Sequence, residues 1–344
     1  MMKSIIGIGL VALDVVVEKN SDIEPVLYAG GSCGNVLSIL SYLGMVAFPI
    51  ARLANNKATD KVISDIESWG VRTDLILRGD DGSTPVIIQR LTVNKEGKPV
   101  HRFEFRNPET GKYLPSFKPV LAKSIAELIQ KKSQCDFFYI DRLSRSAIEL
   151  AKLYKEAGAI VFFEPSSLKP DKIHLFNELI EFIDIIKFSV DRIPDYKVVY
   201  ASGIIPLEIE TLGGNGVNYR FNIEKQVKWN HISSYHVENI IDTAGAGDWT
   251  SAGIIKFLTN LNVDSISALS KSSIESMILY GQALGAISCF YKGARGMMYN
   301  VDNIILEEMV ENLIEENFIT GIKQSNKVDD SDMTYVNSIS SLIA

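Results

Sequence analysis

The stretch Asp242-Thr243-Ala244-Gly245-Ala246-Gly247-Asp248 decides the reading of this chain, because it sets a glycine-rich turn, a helix start and a carboxylate close together. The apolar approach Asn239-Ile240-Ile241 precedes it, and Trp249, Ala252, Ile255 and Leu258 follow at helical spacing. The turn therefore sits at a helix N-terminus, where the first backbone N–H groups lack intrahelical acceptors and the helix dipole adds roughly half a positive charge. Such an end is a ready anion site. Gly245 and Gly247 let the backbone close on an oxyanion. Asp248 would repel a phosphate there unless its work is to take the proton of an attacking hydroxyl as a general base. An N-capping aspartate in a glycine turn is the plainer alternative.

A second motif weighs against that alternative. Gly30-Gly31-Ser32-Cys33-Gly34-Asn35 leads into the apolar helical stripe Val36, Leu37, Leu40 and Leu43, which stops at Gly44. Glycines again precede a helix, so a ligand can approach the backbone closely, while Asn35 can donate to and accept from a hydroxyl-rich molecule. Taken alone, the same residues also read as a flexible turn with a cap.

Between and around these motifs, short apolar strands alternate with amphipathic helical stretches: Phe137–Ile140, Ser146–Ala157, Ile160–Phe163, Ile173–Phe182 and Ile185–Phe188. This alternation predicts a mainly parallel sheet with helices on both faces, whose ligands bind beyond the carboxyl ends of the strands. Two stretches, Leu13–Ala29 and Thr84–Arg106, break the rhythm and read as extended. The second is an expected hairpin, Pro85–Leu91 returning as His101–Arg106 after the turn Lys95-Glu96-Gly97-Lys98.

Composition bounds the function. A chain of 344 residues with 46% hydrophobic content can bury a large core. No apolar run is long enough to span a bilayer and no secretory leader opens the chain, so a cytoplasmic protein without a membrane partner is expected. Cys33, Cys135 and Cys289 are scattered, which suggests neither a disulfide framework nor a zinc site, and Cys33 reads as a small buried filler. A net charge of -7 argues against a nucleic-acid surface. The start Gly7-Ile8-Gly9-Leu10-Val11-Ala12 mimics a dinucleotide fingerprint, but alanine replaces the third glycine and Val15-Val16-Val17 favours strand over helix. Nor is there a G-x-x-x-x-G-K-[ST] loop or a protein-kinase H-R-D and D-F-G pair.

The two glycine motifs in this order resemble the signatures of the ribokinase-like carbohydrate kinases, the phosphofructokinase B (pfkB) family. Thr211-Leu212-Gly213-Gly214-Asn215-Gly216 resembles the family's T-L-G-x-x-G turn beside the nucleotide, and Tyr291-Lys292-Gly293-Ala294 its late R/K-G-A turn. The likeness runs from Ile5 to about Tyr299. It implies a three-layer α/β/α sandwich with a mainly parallel central sheet and a small β-sheet lid. The kinase domain is expected over residues 1–320 with lid segments near 13–29 and 84–106, followed by a polar tail, 321–344, expected at the surface or disordered.

The resemblance also implies roles. Asp248 is the general base, and the N–H groups of Gly245, Ala246 and Gly247 form the anion hole. Asp14, Gly30, Gly31 and Asn35 surround the acceptor. Lys187, Ser189, Thr211, Gly213, Gly216, Thr243 and Gln282 lie with the nucleotide. ATP with Mg2+ is the implied donor. Asp242 matches a position that in several relatives ligates a monovalent cation, which would make K+ an activator. The family's N-x-x-E is absent, since Ser189 and Arg192 stand there with Asp191 one place out of register. Glu164-Pro165-Ser166 replaces Asp-x-Asn, and Asn55-Asn56 replaces a pair ending in aspartate. These departures mark a divergent branch.

Arg142, at the end of an apolar strand, and Arg106 and Arg90, in the lid, could receive an anionic group on the acceptor. The expected activity is ATP-dependent phosphorylation of a hydroxyl on a sugar or sugar-like molecule. The alternatives are a nucleoside kinase, with the base stacked on Phe103 or Phe105, and a non-catalytic sugar or nucleotide sensor. An exposed lid edge would allow a homodimer through the lids.

Overall fold

The computed structural model describes residues 2–17, 25–93, 99–201, 203–222, 228–319 and 339–344. Among them, one large sheet is built from β1 (Ser4–Ile8), β4 (Val46–Leu53), β5 (Ile76–Arg78), β8 (Phe137–Ile140), β9 (Ile160–Phe163), β10 (Ile185–Ser189), β11 (Leu207–Thr211), β12 (Val217–Phe221) and β13 (Asn230–Ile232). Across the sheet the order is β13-β12-β11-β10-β9-β8-β1-β4-β5. Every pairing from β11 to β5 is parallel, and β12 and β13 add an antiparallel edge.

Strand side chains alternate between two cores. Phe137 and Tyr139 enter one, Phe138 and Ile140 the other, and Phe162 and Ile185 part from Phe163 and Ile186 in the same way. The first core is closed by α1 (Ser32–Tyr42), α7 (Ala246–Leu261), α8 (Lys271–Ser288), α9 (Gly296–Asn300) and α10 (Asn303–Glu316). The second is closed by α3 (Ile125–Lys131), α4 (Arg145–Glu156), α5 (Ile173–Leu179) and α6 (Tyr196–Val199). Both faces are therefore covered, which is why these strands read as unbroken apolar runs rather than as alternating ones. The result is the expected three-layer α/β/α sandwich.

The interrupting segments form a separate small sheet from β2 (Ala12–Val17), β3 (Val26–Gly30), β6 (Val86–Val93) and β7 (Pro99–Glu104), in the order β3-β2-β6-β7. The antiparallel β6–β7 pair is the expected hairpin. Its turn, Lys95–Lys98, lies outside the described residues. Leu13, Val15, Val86 and Ile88 of this sheet pack over Val62 and Ile66 of α2 (Lys57–Ser68) in a third core. A further short pair, β14 (His236–Val237) and β15 (Phe318–Ile319), is parallel.

The chain end departs from the expectation of a surface or disordered tail. Residues 320–338 lie outside the described set, but α11 (Ser340–Ile343) docks: Leu342 is buried in the third core, and Ile339 N–H donates to Glu109 Oε1 at 2.7 Å. An Ile-x-x-Leu pair is enough to seat one apolar turn on α2 even after a polar stretch.

Candidate active site

The carboxyl ends of β1 and of β8 to β11 open into a cavity of about 1210 Å³, lined on the far side by Ile87, Gln89 and Phe103 of the small sheet and by Phe105 just past β7. Two helix starts meet there. Asn35, in the first turn of α1, donates from Nδ2 to Asp248 Oδ2 at 2.8 Å, in the first turn of α7.

Local packing fixes that first turn. Gly245 caps α7 with φ 76°, and a Cβ there would lie 2.5 Å from the carbonyl oxygen of Ala294. Trp249, fully buried, donates its indole N–H to the same carbonyl at 3.0 Å. On the opposite side Gly285 of α8 lies so close that a Cβ on it would meet Thr250 Oγ1 at 2.5 Å and Ala246 O at 2.9 Å. No side chain caps α7, and Ala246 N–H makes a long 3.3 Å bond to Thr243 O. The helix end that faces the cavity is thus left to other acceptors.

The carboxylates here are not ordinary ones. Burial, followed by the charge of Glu164, pushes Asp248 up to about 7, against the Asn35 hydrogen bond and the charges of Lys187 and Arg192. Burial likewise raises Asp14 to about 7, opposed by Arg295 and Gln89. Lys187 and Glu164 form a buried pair at 2.5 Å, and Glu164 also accepts from Tyr139 Oη at 3.0 Å and from Ser251 Oγ. Lys187 lies under Gly247, whose Cβ, were there one, would be 3.8 Å from Nζ.

Most of the residues singled out in the sequence meet in this cavity. Asp14, Gly31, Asn35 and Arg142 line one part, and Lys187, Ser189, Thr211, Gly213, Gly216 and Gln282 another. Thr243, Gly245, Ala246, Gly247 and Asp248 lie between them. Three candidates do not line it. Gly30 gives up its side chain to neighbouring Asp14, since a Cβ there would lie 2.0 Å from Asp14 Oδ2. Asp242 accepts from Ala244 N–H at 2.8 Å and Gly293 N–H at 2.7 Å, so it braces the two late turns against each other. Arg106 turns outward, donating to Gly111 O at 3.0 Å and lying 3.9 Å above the Tyr113 ring, because the chain bends there into a bridge with Tyr113. Arg90 is held by Glu104 at 2.9 Å. Arg142 keeps its place but pairs with buried Asp141 at 3.0 Å.

Sequence reasoning missed the Glu164–Lys187 pair and the arrival of Arg192 in the cavity. A lysine inside the apolar run Ile185-Ile186-Lys187-Phe188 was the available signal for a buried partner. Cys33 is buried and its thiol raised by that burial, which fits a packing role. Among the described residues no group of three or more His, Cys, Asp and Glu converges to cage a metal, and no helix is long and apolar enough to cross a membrane.

Residues 197–300 match the model of the pfkB family carbohydrate kinases. No curated protein matches the chain. Among solved structures, aminoimidazole riboside kinase from Salmonella enterica aligns with a TM-score of 0.68 at 18% identity, over 90% of this chain and 100% of that one. Fructokinase from Xylella fastidiosa gives 0.66 at 17% identity, over 92% and 99%. Ribokinase from Arabidopsis thaliana gives 0.65 at 15%, over 90% and 99%. The chain thus shares the ribokinase-like fold of these kinases along its length, and the segment that matches the pfkB family model carries the Asp242–Asp248 turn.

Proposed function

We propose that this chain transfers the γ-phosphoryl group of ATP to a hydroxyl of a sugar or sugar-like molecule. One observation carries the reading: Asp248 is held by Asn35 at 2.8 Å, at the uncapped start of α7, inside a cavity lined at one end by the small sheet and at the other by the Thr211–Gly216 turn. The acceptor lies against Asp14, Gly31 and Asn35. Its hydroxyl oxygen attacks the γ-phosphorus and gives its proton to the Asp248 carboxylate as the bond to the leaving ADP oxygen breaks. A carboxylate with a raised proton affinity suits that task, because it is a stronger base than a solvated aspartate while remaining largely ionised above neutrality.

Charge building on the transferring group meets the backbone of Gly245–Gly247 and the ammonium of Lys187 beneath it. Thr211, Gly213, Gly216, Ser189, Thr243 and Gln282 take the nucleotide, and Gln282 brings a buried, unpartnered Nε2 suited to a base edge. Magnesium, when bound with ATP, would neutralise phosphate charge; of the four carboxylates lining the cavity among the described residues only Glu164 is ion-paired, and Asp191 and Asp248 lie nearest the proposed phosphates, which fits an ion held mostly by phosphate and water. K+ at Asp242 remains part of the proposal, with the backbone carbonyls of the late turns as companions. A cytoplasmic setting, where ATP is at hand, is part of the proposal.

A nucleoside acceptor is the second reading, favoured by a specific feature: two aromatic rings, Phe103 and Phe105, line the cavity at 52% and 57% exposure, the kind of surface a base packs against. Likeness to the riboside kinase of Salmonella enterica, solved with aminoimidazole riboside and an ATP analog, is compatible with it. The test is ADP release from ATP across pentoses, hexoses, phosphosugars, sugar acids and nucleosides with Mg2+, with and without K+. Acceptor-dependent release supports the kinase and names its class. Binding of sugar or nucleotide with no release across the panel supports a sensor instead.

A further inference from the structure

Three lysine and arginine side chains line the cavity among the described residues, Arg142, Lys187 and Arg192, and two of them are committed within the protein. Lys187 is neutralised by Glu164 at 2.5 Å and Arg142 by Asp141 at 3.0 Å. Arg192 differs. Its guanidinium has no ion-pair or side-chain hydrogen-bond partner among the described residues.

The main chain that carries Arg192 is nonetheless fixed. Arg192 N–H donates to Ser189 O at 3.0 Å, Ile193 N–H to the same oxygen at 3.2 Å, and Val190 N–H to Thr211 O at 3.1 Å. Ile193 and Tyr196, just beyond, are buried in the second core. A tethered backbone with an uncommitted, exposed side chain aimed along the cavity wall is a poor packing device and a good ligand clamp.

Its place in the sheet says which ligand. Along the rim, Arg142 follows β8, Glu164 follows β9, the Ser189–Arg192 turn follows β10 and Thr211 ends β11. The proposed acceptor residues Asp14 and Asn35 lie toward β1, whereas Arg192 follows β10, the strand next to β11, whose end at Thr211 holds Val190 N–H. The charge of Arg192 reaches Asp248. The cavity lining holds four carboxylates, Asp14, Glu164, Asp191 and Asp248, against three cations, a net negative wall for a polyphosphate. Asp191, next to Arg192, adds to that deficit.

We propose, resting on the kinase reading above, that Arg192 grips the terminal phosphate of the nucleotide donor, as the cavity-lining guanidinium without an ion-pair partner among the described residues and so able to form a two-pronged contact with it. It supplies, as a fixed side chain, part of the charge neutralisation that transfer requires and orients the γ-phosphorus toward the acceptor. No proton or bond change occurs on Arg192 itself.

The experiment is calorimetric binding of ATP, ADP and AMP, with Mg2+ present throughout, to the parent, Arg192→Ala and Arg192→Lys, each checked for an unchanged unfolding midpoint. Arg192→Ala is expected to lose about ten-fold or more in ATP affinity, the worth of a charged hydrogen bond, with AMP affinity nearly unchanged. Arg192→Lys should recover part of the ATP loss. In turnover, kcat falls in Arg192→Ala more than the acceptor KM rises, and added guanidinium ion restores part of it. ATP and AMP affinities that move together, or that do not move, overturn the proposal while leaving the kinase reading intact. A parent that binds no ATP overturns both.

Discussion

Asn35 and Asp248, 213 residues apart in sequence, meet at 2.8 Å where the first turns of two helices converge. The amide donates, so it favours the ionised carboxylate and opposes the burial that raises Asp248. Removing it should raise the proton affinity of Asp248 further. A general base works only when deprotonated, so the Asn35→Ala variant should shift the acidic limb of kcat/KM to higher pH, by about half a unit to one unit. The pH profile of the parent and the variant on one acceptor checks this. Because Asn35 also lines the cavity, KM should rise as well, and a profile that keeps its midpoint would remove the coupling.

Asp14 offers a test in stability rather than rate. Its proton affinity is raised from 3.8 to about 7, mainly by burial. A folded-state value above the unfolded one means that the group costs nothing below pH 3.8, costs progressively more up to about 7, and a constant amount beyond it. The Asp14→Asn variant should therefore unfold at a higher temperature than the parent at pH 8, on the order of 2–4 kcal/mol more stable at most. The gap should shrink toward pH 4.5. Thermal unfolding across pH 4.5–8 measures it, and a gap that widens on acidification would contradict the burial argument.

The Lys187–Glu164 pair is closed off from water on both sides, with Tyr139 and Ser251 completing the carboxylate. Breaking one side strands a buried charge, at about 3–5 kcal/mol. Lys187→Met should therefore lose that much stability, and Lys187→Met with Glu164→Gln should regain most of it. Activity should stay low in both, because the cation below Gly247 is gone from each. Denaturant titrations together with turnover separate the structural contribution from the chemical one.

Much of this architecture was legible before any coordinates. The glycine turns read at two helix starts are indeed the two that meet at the cavity, and unbroken apolar strands between amphipathic helices implied a sheet covered on both faces. What was not legible depended on contacts between distant segments. Nothing local to Lys187 names Glu164, just past the end of the neighbouring strand, nor shows that Asp242 would be taken up by the backbone of Ala244 and Gly293. Arg142, after an apolar strand, and Arg106, in the lid, were read alike as receivers of an anionic group, yet a bridge to Tyr113 turns Arg106 outward while Asp141 holds Arg142 at the rim. The docked end at Leu342 was hidden because a four-residue helix carries too few apolar positions to show periodicity.

Gly285 shows how the helix pair holds the site. With α8 packed close to the start of α7, Gly285→Val would drive side-chain carbon into Thr250 Oγ1 and Ala246 O. Overpacking of this kind costs about 1–3 kcal/mol. Because the displaced atoms belong to the turn that carries Asp248, the variant should lose kcat more than ten-fold, a proportion beyond that expected for its loss of folded fraction. Unfolding midpoints and kcat measured at a temperature where both proteins are folded test this, and an unchanged kcat would show that the turn is held by Trp249 and Ala294 alone.

The central claim is that Asp248 is the base of a phosphoryl transfer. Its most direct test is transfer of labelled γ-phosphate from ATP to the acceptor by the parent and by Asp248→Asn, with ATP and acceptor binding measured on both. The account predicts that transfer falls by about a hundred- to ten-thousand-fold while both ligands still bind. Equal transfer rates in the two proteins would contradict it.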